Sequence, residues 1–196
     1  KKVQEYNDEK KPLFQKYKLD SQLFDIFNPK VILNSGGYLI IDQTEALVAV
    51  DVNSGKATRE RSIEDTALKT NLEAAEEFAR QARLRDLSGL VVIDFIDMEE
   101  RRNNSAVEKR MKEKLKTDRA RIQVGRISGF GLMEMSRQRL RPGMLEASTQ
   151  PCVHCHGTGL IRSEDSLGLT ILRELEEEGV RRRSKEVLIK APISIA

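Results

Sequence analysis

The stretch LVVIDFIDMEE spans residues 90–100, and its first four residues are all apolar before Asp94 ends the run. A short run that is apolar at every position is typical of a strand in the middle of a sheet. We therefore expect residues 90–94 to form a central strand, around which the elements on either side should pack.

The segments that flank this strand predict an α/β fold. Upstream, the apolar runs 38–42 and 46–51 are separated by a short polar turn, the pattern of a β-hairpin. A helix should follow, because residues 62–65 resemble a helix start and apolar residues then recur at three- and four-residue spacing, at Leu68, Leu72, Ala75, Ala79 and Ala82. Downstream we expect a helix within 105–117 and a strand at 121–125. This order predicts a mixed sheet with flanking helices.

Composition limits the classes of function. The 196 residues are 39% hydrophobic, enough for one ordinary core and a smaller appendage, and the net charge is only +3. No apolar run approaches the roughly 18 residues of a membrane span, and the charged start does not resemble a signal peptide. These features predict a cytosolic segment without membrane contact. The apolar run at the end, 186–196, suggests a piece of a longer polypeptide.

Two acids stand at the ends of apolar strands. Asp51 follows the run 46–50, with Asn53 on the same face if the strand continues, and Asp94 ends the central strand. If both strands share one sheet, these oxygen ligands suit Mg²⁺. The alternative is that each Asp only forms a turn or caps a helix. Asp97 fits that alternative, because Asp97-Met-Glu-Glu100 matches the capping pattern for the next helix.

A basic segment follows the second helix. Residues 119–141 contain six arginines and one acid, Glu134. Arginine matches phosphate geometry, and an aromatic between glycines, Phe130, could stack on a base. The residues that we expect to contact RNA are Arg126, Phe130, Arg137, Arg139 and Arg141. The alternative is a solvated basic face, which is what we expect of the lysine-rich helix 105–117.

Both cysteines and both histidines lie in PCVHCHGTG, residues 151–159. Cys152-Val-His-Cys155-His156 matches a haem-attachment pattern, but no export signal is visible. A thioredoxin-like redox pair is a second alternative, although the flanking proline and glycines favour a loop. Half of a zinc ribbon fits best. Zinc needs four ligands, so we expect two chains to share one Zn²⁺ through Cys152 and Cys155, with His154 and His156 as alternative ligands.

Four blocks together resemble a known family. They are IDQTEALVAVDVNSG (41–55), VVIDFIDM (91–98), EMSRQR (134–139) and CVHCHGTG (152–159). These blocks are similar to the catalytic region of the bacterial ribonuclease E/ribonuclease G family, and the SRQRL wording is closer to the ribonuclease E branch. Val153 and His154 depart from the Pro-Arg pair expected there.

The resemblance implies an endoribonuclease that cuts single-stranded, AU-rich RNA in rRNA and tRNA processing and mRNA decay. It assigns Mg²⁺ to Asp51 and Asp94, supported by Asn53, and an inter-subunit Zn²⁺ to Cys152 and Cys155 in a dimer of dimers. Two other classes remain open at this point, a zinc-mediated oligomerisation module and an RNA-binding module, each without activity of its own.

The resemblance also implies a division of the chain. Residues 1–27 would be the tail of an RNase H-like subdomain, 28–148 a DNase I-like catalytic subdomain, 149–162 the zinc link, and 163–196 the start of a small α/β dimerisation domain. Degradosome components would bind regions outside this chain, and any membrane attachment of the full-length protein would come from another region.

Overall fold

The structure is a computed structural model that describes residues 3, 5–7, 11–17, 19–55, 63–155, 157, 159–160, 163–182 and 186–190. It divides into two compact units, Lys1–Thr149 and Gln150–Ala196. Within the described residues, none of the helices combines the length and the apolar character that crossing a membrane requires.

The first unit is built on a six-stranded sheet. Its strands are β1 (Lys30–Ile32), β2 (Tyr38–Gln43), β3 (Val48–Asn53), β4 (Gly89–Asp94), β5 (Ile122–Ile127) and β6 (Leu132–Arg137). The order across the sheet is β1-β2-β3-β4-β6-β5. Strands β3 and β4 are parallel, and the other neighbours are antiparallel. The mixed α/β fold and the interior position of residues 90–94 are thus confirmed.

Two long helices supply the second layer of this unit. The helices are α1 (Leu13–Lys16), α2 (Leu19–Asp25), α3 (Ile63–Leu84), α4 (Arg101–Leu115) and α5 (Met144–Ser148). Helix α3 connects β3 to β4, the crossover that parallel neighbours require, and it packs against α4. Ala75, Phe78 and Met111 of these helices are buried in one core with Val50 and Ile93 of the sheet.

The sheet has one covered and one open face. Along β3, Val48, Val50 and Val52 are buried in the core, whereas the alternate residues Ala49, Asp51 and Asn53 are not. Successive side chains of a strand point to opposite faces, so a set of polar side chains on β3 and β4 faces away from the helices.

Some elements differ from the sequence-based expectations. Strands β1 and β6 were not predicted, and α4 begins at Arg101 rather than near residue 105. In β6, the sequence LMEMSR alternates, and Met133 and Met135 face the core. The expected helix start at residues 62–65 falls partly outside the described residues, since the structure describes α3 only from Ile63.

The second unit contains helix α6 (Glu164–Arg182) and, before it, the segment with the cysteines. Cys152 is exposed and Cys155 is partly buried, and both are free thiols. The expected strand-like end, 186–196, is only partly described: residues 186–190 have no regular structure, and 191–196 lie outside the described residues.

Candidate active site

Asp51 and Asp94 lie side by side on the open face of the sheet. The parallel register of β3 and β4 pairs Val50 with Ile93 and Asp51 with Asp94. Paired residues of neighbouring strands have side chains on the same face, and both aspartates are exposed. The structure therefore brings together the two acids that end the apolar runs of the sequence.

Asn53 joins this pair from the end of β3. It lies two residues after Asp51, on the same face, and its Nδ2 donates a hydrogen bond of 2.8 Å to Asp51 Oδ2. A carboxylate that accepts such a bond is held in one orientation. Asn53 thus orients Asp51 and leaves the other oxygen of that carboxylate for a further partner.

The electrostatics of Asp94 show that negative charges converge at this site. Burial raises the pKa of Asp94, and the negative charges of Asp51 and Asp97 raise it further. Like charges disfavour ionisation of one another at short range. A cation between the carboxylates would remove this repulsion, so the donor set is one that favours binding of a divalent metal.

Asp97 does not have the capping role predicted for it. The N-cap of α4 is Glu100, and it makes no side-chain capping bond. The backbone N–H groups of Glu99 and Glu100 instead donate to the carboxylate of Glu64 on α3, at 3.1 and 3.3 Å. Asp97 faces Gly131, where an added Cβ would lie 2.8 Å from Asp97 Oδ1 and 3.9 Å from Asp94 Oδ1. The acid assigned to the helix therefore belongs to the surroundings of the site.

Asn71 is a site-related residue that the sequence reasoning missed. It is fully buried on α3. Its Nδ2 donates to Ile96 O at 2.8 Å, and its Oδ1 accepts from Ile96 N at 3.0 Å. These two bonds fix the backbone between Asp94 and Asp97. The signal was available, because an Asn on the buried side of a helix requires partners.

The six arginines do not form one surface. Arg137, predicted to contact RNA, is a correction: its side chain is 3% exposed and is bonded to buried Asp118. Arg137 Nε donates to Asp118 Oδ2 at 2.8 Å, Nη2 to Asp118 Oδ1 at 3.1 Å, and Nη1 to Leu87 O at 2.7 Å. Its guanidinium is occupied within the fold, so we remove Arg137 from the RNA contacts.

Arg139 and Arg141 also lie away from the acids. Arg139 pairs with Glu146 at 2.5 Å and Arg141 with Asp86 at 2.6 Å, both with about half of the arginine side chain exposed. They follow the end of β6, where Arg137 is paired with Gly89 at the start of β4. Asp94 is at the other end of β4, roughly 16 Å away for five steps of about 3.3 Å.

Arg126 and Phe130 lie at the same end of the sheet as the acids. Arg126 is an exposed residue of β5, and Phe130 is 85% exposed in the turn that connects β5 to β6. Leu132, which follows this turn, is paired with Asp94. Of the five residues predicted to contact RNA, these two are near the site.

The cysteines belong to the second unit. Among the described residues, no three His, Cys, Asp or Glu side chains are grouped in a way that could hold a metal ion. His156, one of the alternative zinc ligands, lies outside the described residues, whereas His154 is described. Each candidate metal site therefore has two ionisable ligands in the described part of one chain.

Comparison with known proteins identifies the family. Residues 1–140 match the model of the Ribonuclease E/G family, and residues 151–196 match that of the RNase E/G thioredoxin-like domain. The chain is 54% identical over 185 residues to Ribonuclease E of Escherichia coli (strain K12), covering 94% of the chain and 17% of that relative. It belongs to the ribonuclease E/G family.

Two further relatives give the scale of the match. Ribonuclease E of Haemophilus influenzae is 55% identical, over 94% of this chain and 20% of its own length. Ribonuclease G of Escherichia coli (strain K12) is 38% identical, over 85% of this chain and 34% of its own length. The chain thus spans about a fifth of the Ribonuclease E relatives and about a third of Ribonuclease G.

Proposed function

We propose that this chain carries the catalytic acids of a Mg²⁺-dependent endoribonuclease that cleaves single-stranded, AU-rich RNA in rRNA and tRNA processing and in mRNA decay. One observation carries the proposal: Asp51 and Asp94 are in register on neighbouring parallel strands of an open sheet face, in a chain of the ribonuclease E/G family. The RNA preference and the cellular roles follow from the family resemblance.

The residues at the site fit a hard divalent cation. Asp51 and Asp94 would hold Mg²⁺ through carboxylate oxygens, and the Asn53 amide would keep Asp51 in its orientation. When bound, the ion would supply Lewis acidity at a phosphate oxygen. The DNase I-like character of residues 28–148 remains part of this proposal.

The surrounding residues account for substrate placement. The open face leaves a single RNA strand free access to both acids, and Phe130 extends into solvent beside them, where a base could stack on its ring. Both histidines of the sequence are in residues 151–159, in the second unit, so the acid–base groups beside the scissile phosphate are carboxylates.

Mutation of the acids tests the proposal. Cleavage of a fluorescent single-stranded RNA by the full-length protein should fall roughly 100-fold or more in Asp51→Asn and in Asp94→Asn, because a bound metal contributes several kcal/mol to the transition state. Asp42→Asn is the matched control, since Asp42 is exposed on the same face of β2. Full activity of either variant at millimolar Mg²⁺ would contradict the assignment. An equal loss in Asp97→Asn would extend the acid set to three.

The cysteines are proposed to form a shared zinc site. Cys152 and Cys155 supply two thiols per chain, and structural zinc takes four ligands, so two chains would enclose one ion and link protomers within a dimer of dimers. Metal analysis should give half a zinc per chain, and Cys152→Ser should release the zinc and reduce the assembly. One zinc per chain that persists in monomers would instead assign the remaining ligands to the same chain.

A further inference from the structure

A polar groove lies between helix α4 and the turn that connects β5 to β6. It encloses about 760 Å³. Helix α4 contributes one wall, and β5 with the following turn contributes the other. The residues that matter for the argument are Asp97, Arg101, Asn104, Lys112, Arg126 and Gly131. Because the sequence predicted a solvated face for the lysine-rich helix, this concave basic surface is a finding of the structure.

One end of the groove is at the acids. Gly131 lines the groove, and a Cβ added there would lie 2.8 Å from Asp97 Oδ1 and 3.9 Å from Asp94 Oδ1. Gly131 has a positive φ of 77°, a conformation that favours glycine. The glycine therefore keeps this end of the groove open, and a strand lying in the groove would reach Asp94 directly.

The positive charges of the groove are not used by the fold. Arg101, Lys112 and Arg126 are exposed, and no ion pair joins any of them to a described residue. On the same helix, by contrast, Arg110 and Lys114 both pair with Glu76 of α3.

The acids of the groove do not cancel these charges. Glu108 also lines the groove, and its Oε1 already accepts a hydrogen bond from the backbone N–H of Ile127 at 2.9 Å. Asp97 lies at the end next to Asp94. The length between the acids and Lys112 therefore presents three cations and neutral polar groups such as Asn104, a lining that suits a chain of phosphates.

We propose that this groove binds the sugar–phosphate backbone of the RNA beside the cleaved bond, with Arg101, Lys112 and Arg126 contacting phosphates. Arg101 and Lys112 are eleven residues apart on α4, or roughly 16 Å at about 1.5 Å per residue, a length that several consecutive phosphates can occupy. Phe130, next to Gly131, is placed to stack on a base at the entrance. This inference rests on the proposed nuclease function and assigns the path of its substrate.

Salt-dependent binding tests the groove. The triple variant Arg101→Gln, Lys112→Gln, Arg126→Gln is compared with a control that removes the same charge outside the groove, Lys109→Gln, Lys116→Gln, Arg121→Gln. All six residues are exposed, and circular dichroism verifies folding. With full-length protein and no added Mg²⁺, the groove variant should bind single-stranded RNA at least tenfold more weakly. Its slope of log affinity against log salt should drop by up to about 2, at about 0.7 per phosphate contact.

Neutral linkages then locate the contact along the RNA. A single methylphosphonate within a few nucleotides of the cleaved bond should weaken binding by the wild type and by the control, but not by the groove variant. The single variant Arg126→Gln should show part of the effect. Equal salt slopes for the groove variant and the control would overturn the inference, as would equal sensitivity to methylphosphonate.

Cleavage separates this inference from the proposed function. If the wild type cleaves with Mg²⁺, Asp94→Asn does not, and the groove variant binds normally, the groove assignment fails and the nuclease assignment stands. If the wild type shows no Mg²⁺-dependent cleavage, the proposed function fails, and the groove loses its assigned substrate with it. When both hold, the groove variant should show a raised KM with little change in kcat.

Discussion

At the end of the sheet where β3 and β4 finish, Asp51, Asp94 and Asp97 lie together and raise the pKa of Asp94, beside cations that pair with no described residue. At the other end, Arg137 is bonded to Asp118 in the interior and Arg141 to Asp86. One end holds like charges in proximity, and the other neutralises each charge locally.

The difference teaches where this fold accepts electrostatic cost. Converging carboxylates destabilise the folded chain unless a cation joins them, so the acid end has the properties of a site that needs a ligand. The paired end needs none, because its donors and acceptors are satisfied within the described residues. Charge at the acid end should therefore affect activity, and charge at the paired end should affect stability.

The largest effect on stability should come from Arg137→Ala. Asp118 would be left buried with 1% exposure and without its bidentate partner, and breaking a buried pair on one side costs about 3–5 kcal/mol. Urea unfolding, with hydrogen exchange of the β4 and β6 amides, measures the loss. Arg139→Ala, at a half-exposed pair, is the control and should cost less than about 1 kcal/mol. Equal losses in the two variants would contradict the comparison.

Asn71→Ala should affect both properties. The buried N–H and C=O of Ile96 would lose their partners, at about 1–3 kcal/mol for each unsatisfied group. The segment that carries Asp94 and Asp97 would loosen, and we expect cleavage to fall roughly 10- to 100-fold, since misplacement of about 1 Å has an effect of this order. Thr70→Ala is the control, because buried Thr70 bonds only to Thr66 of its own helix among the printed contacts. An Asn71 variant that is destabilised but fully active when folded would show that the bonds serve stability alone.

The pH dependence of stability should distinguish Asp118. Burial alone raises the pKa of Asp118, but hydrogen bonds from Arg137 and the Ala120 N–H outweigh burial, and the net pKa lies below its ordinary value of 3.8. The stabilisation by this carboxylate is therefore complete above about pH 4 and lost as the pH falls through the folded-state pKa. The difference in unfolding free energy between wild type and Asp118→Asn should be constant from about pH 5 to 8 and shrink below about pH 4. A difference that widens in acid would reverse the sign.

The smallest effect should be that of Arg139 and Arg141 on RNA binding. Both side chains are engaged with carboxylates at the end of the sheet remote from the acids. The double variant Arg139→Gln, Arg141→Gln should leave the salt slope of RNA binding within error of the wild type, in filter binding over a range of salt. A drop of about 1 or more would mean that RNA extends along the whole sheet.

Local sequence patterns anticipated the acids better than the arginines. An apolar run that ends in Asp specified strand, face and terminus for Asp51 and Asp94, so their convergence needed only adjacent parallel strands. The density of arginines in 119–141 gave no such information. Strand β6 was not anticipated, and its alternation directs Arg137 inward, towards Asp118, while Arg126 stays exposed on β5.

Asp97 shows why the remaining part of the site was out of reach. Its spacing to Glu100 satisfies a capping pattern, and nothing local indicates that Glu64, from the preceding helix, accepts the N–H groups at the start of α4. The contact depends on how α3 packs against α4. The groove with Arg101 and Lys112 likewise depends on the approach of α4 to the β5–β6 turn, which no single segment of sequence specifies.

Locating a bound metal tests the central claim most directly. Crystals of the full-length protein soaked in Mn²⁺, a substitute for Mg²⁺ with a strong anomalous signal, should show a peak within coordination distance of a carboxylate oxygen of Asp51 and one of Asp94. The peak should be absent in Asp94→Asn crystals soaked in the same way. A peak held by neither aspartate, or one that persists unchanged in Asp94→Asn, would contradict the account.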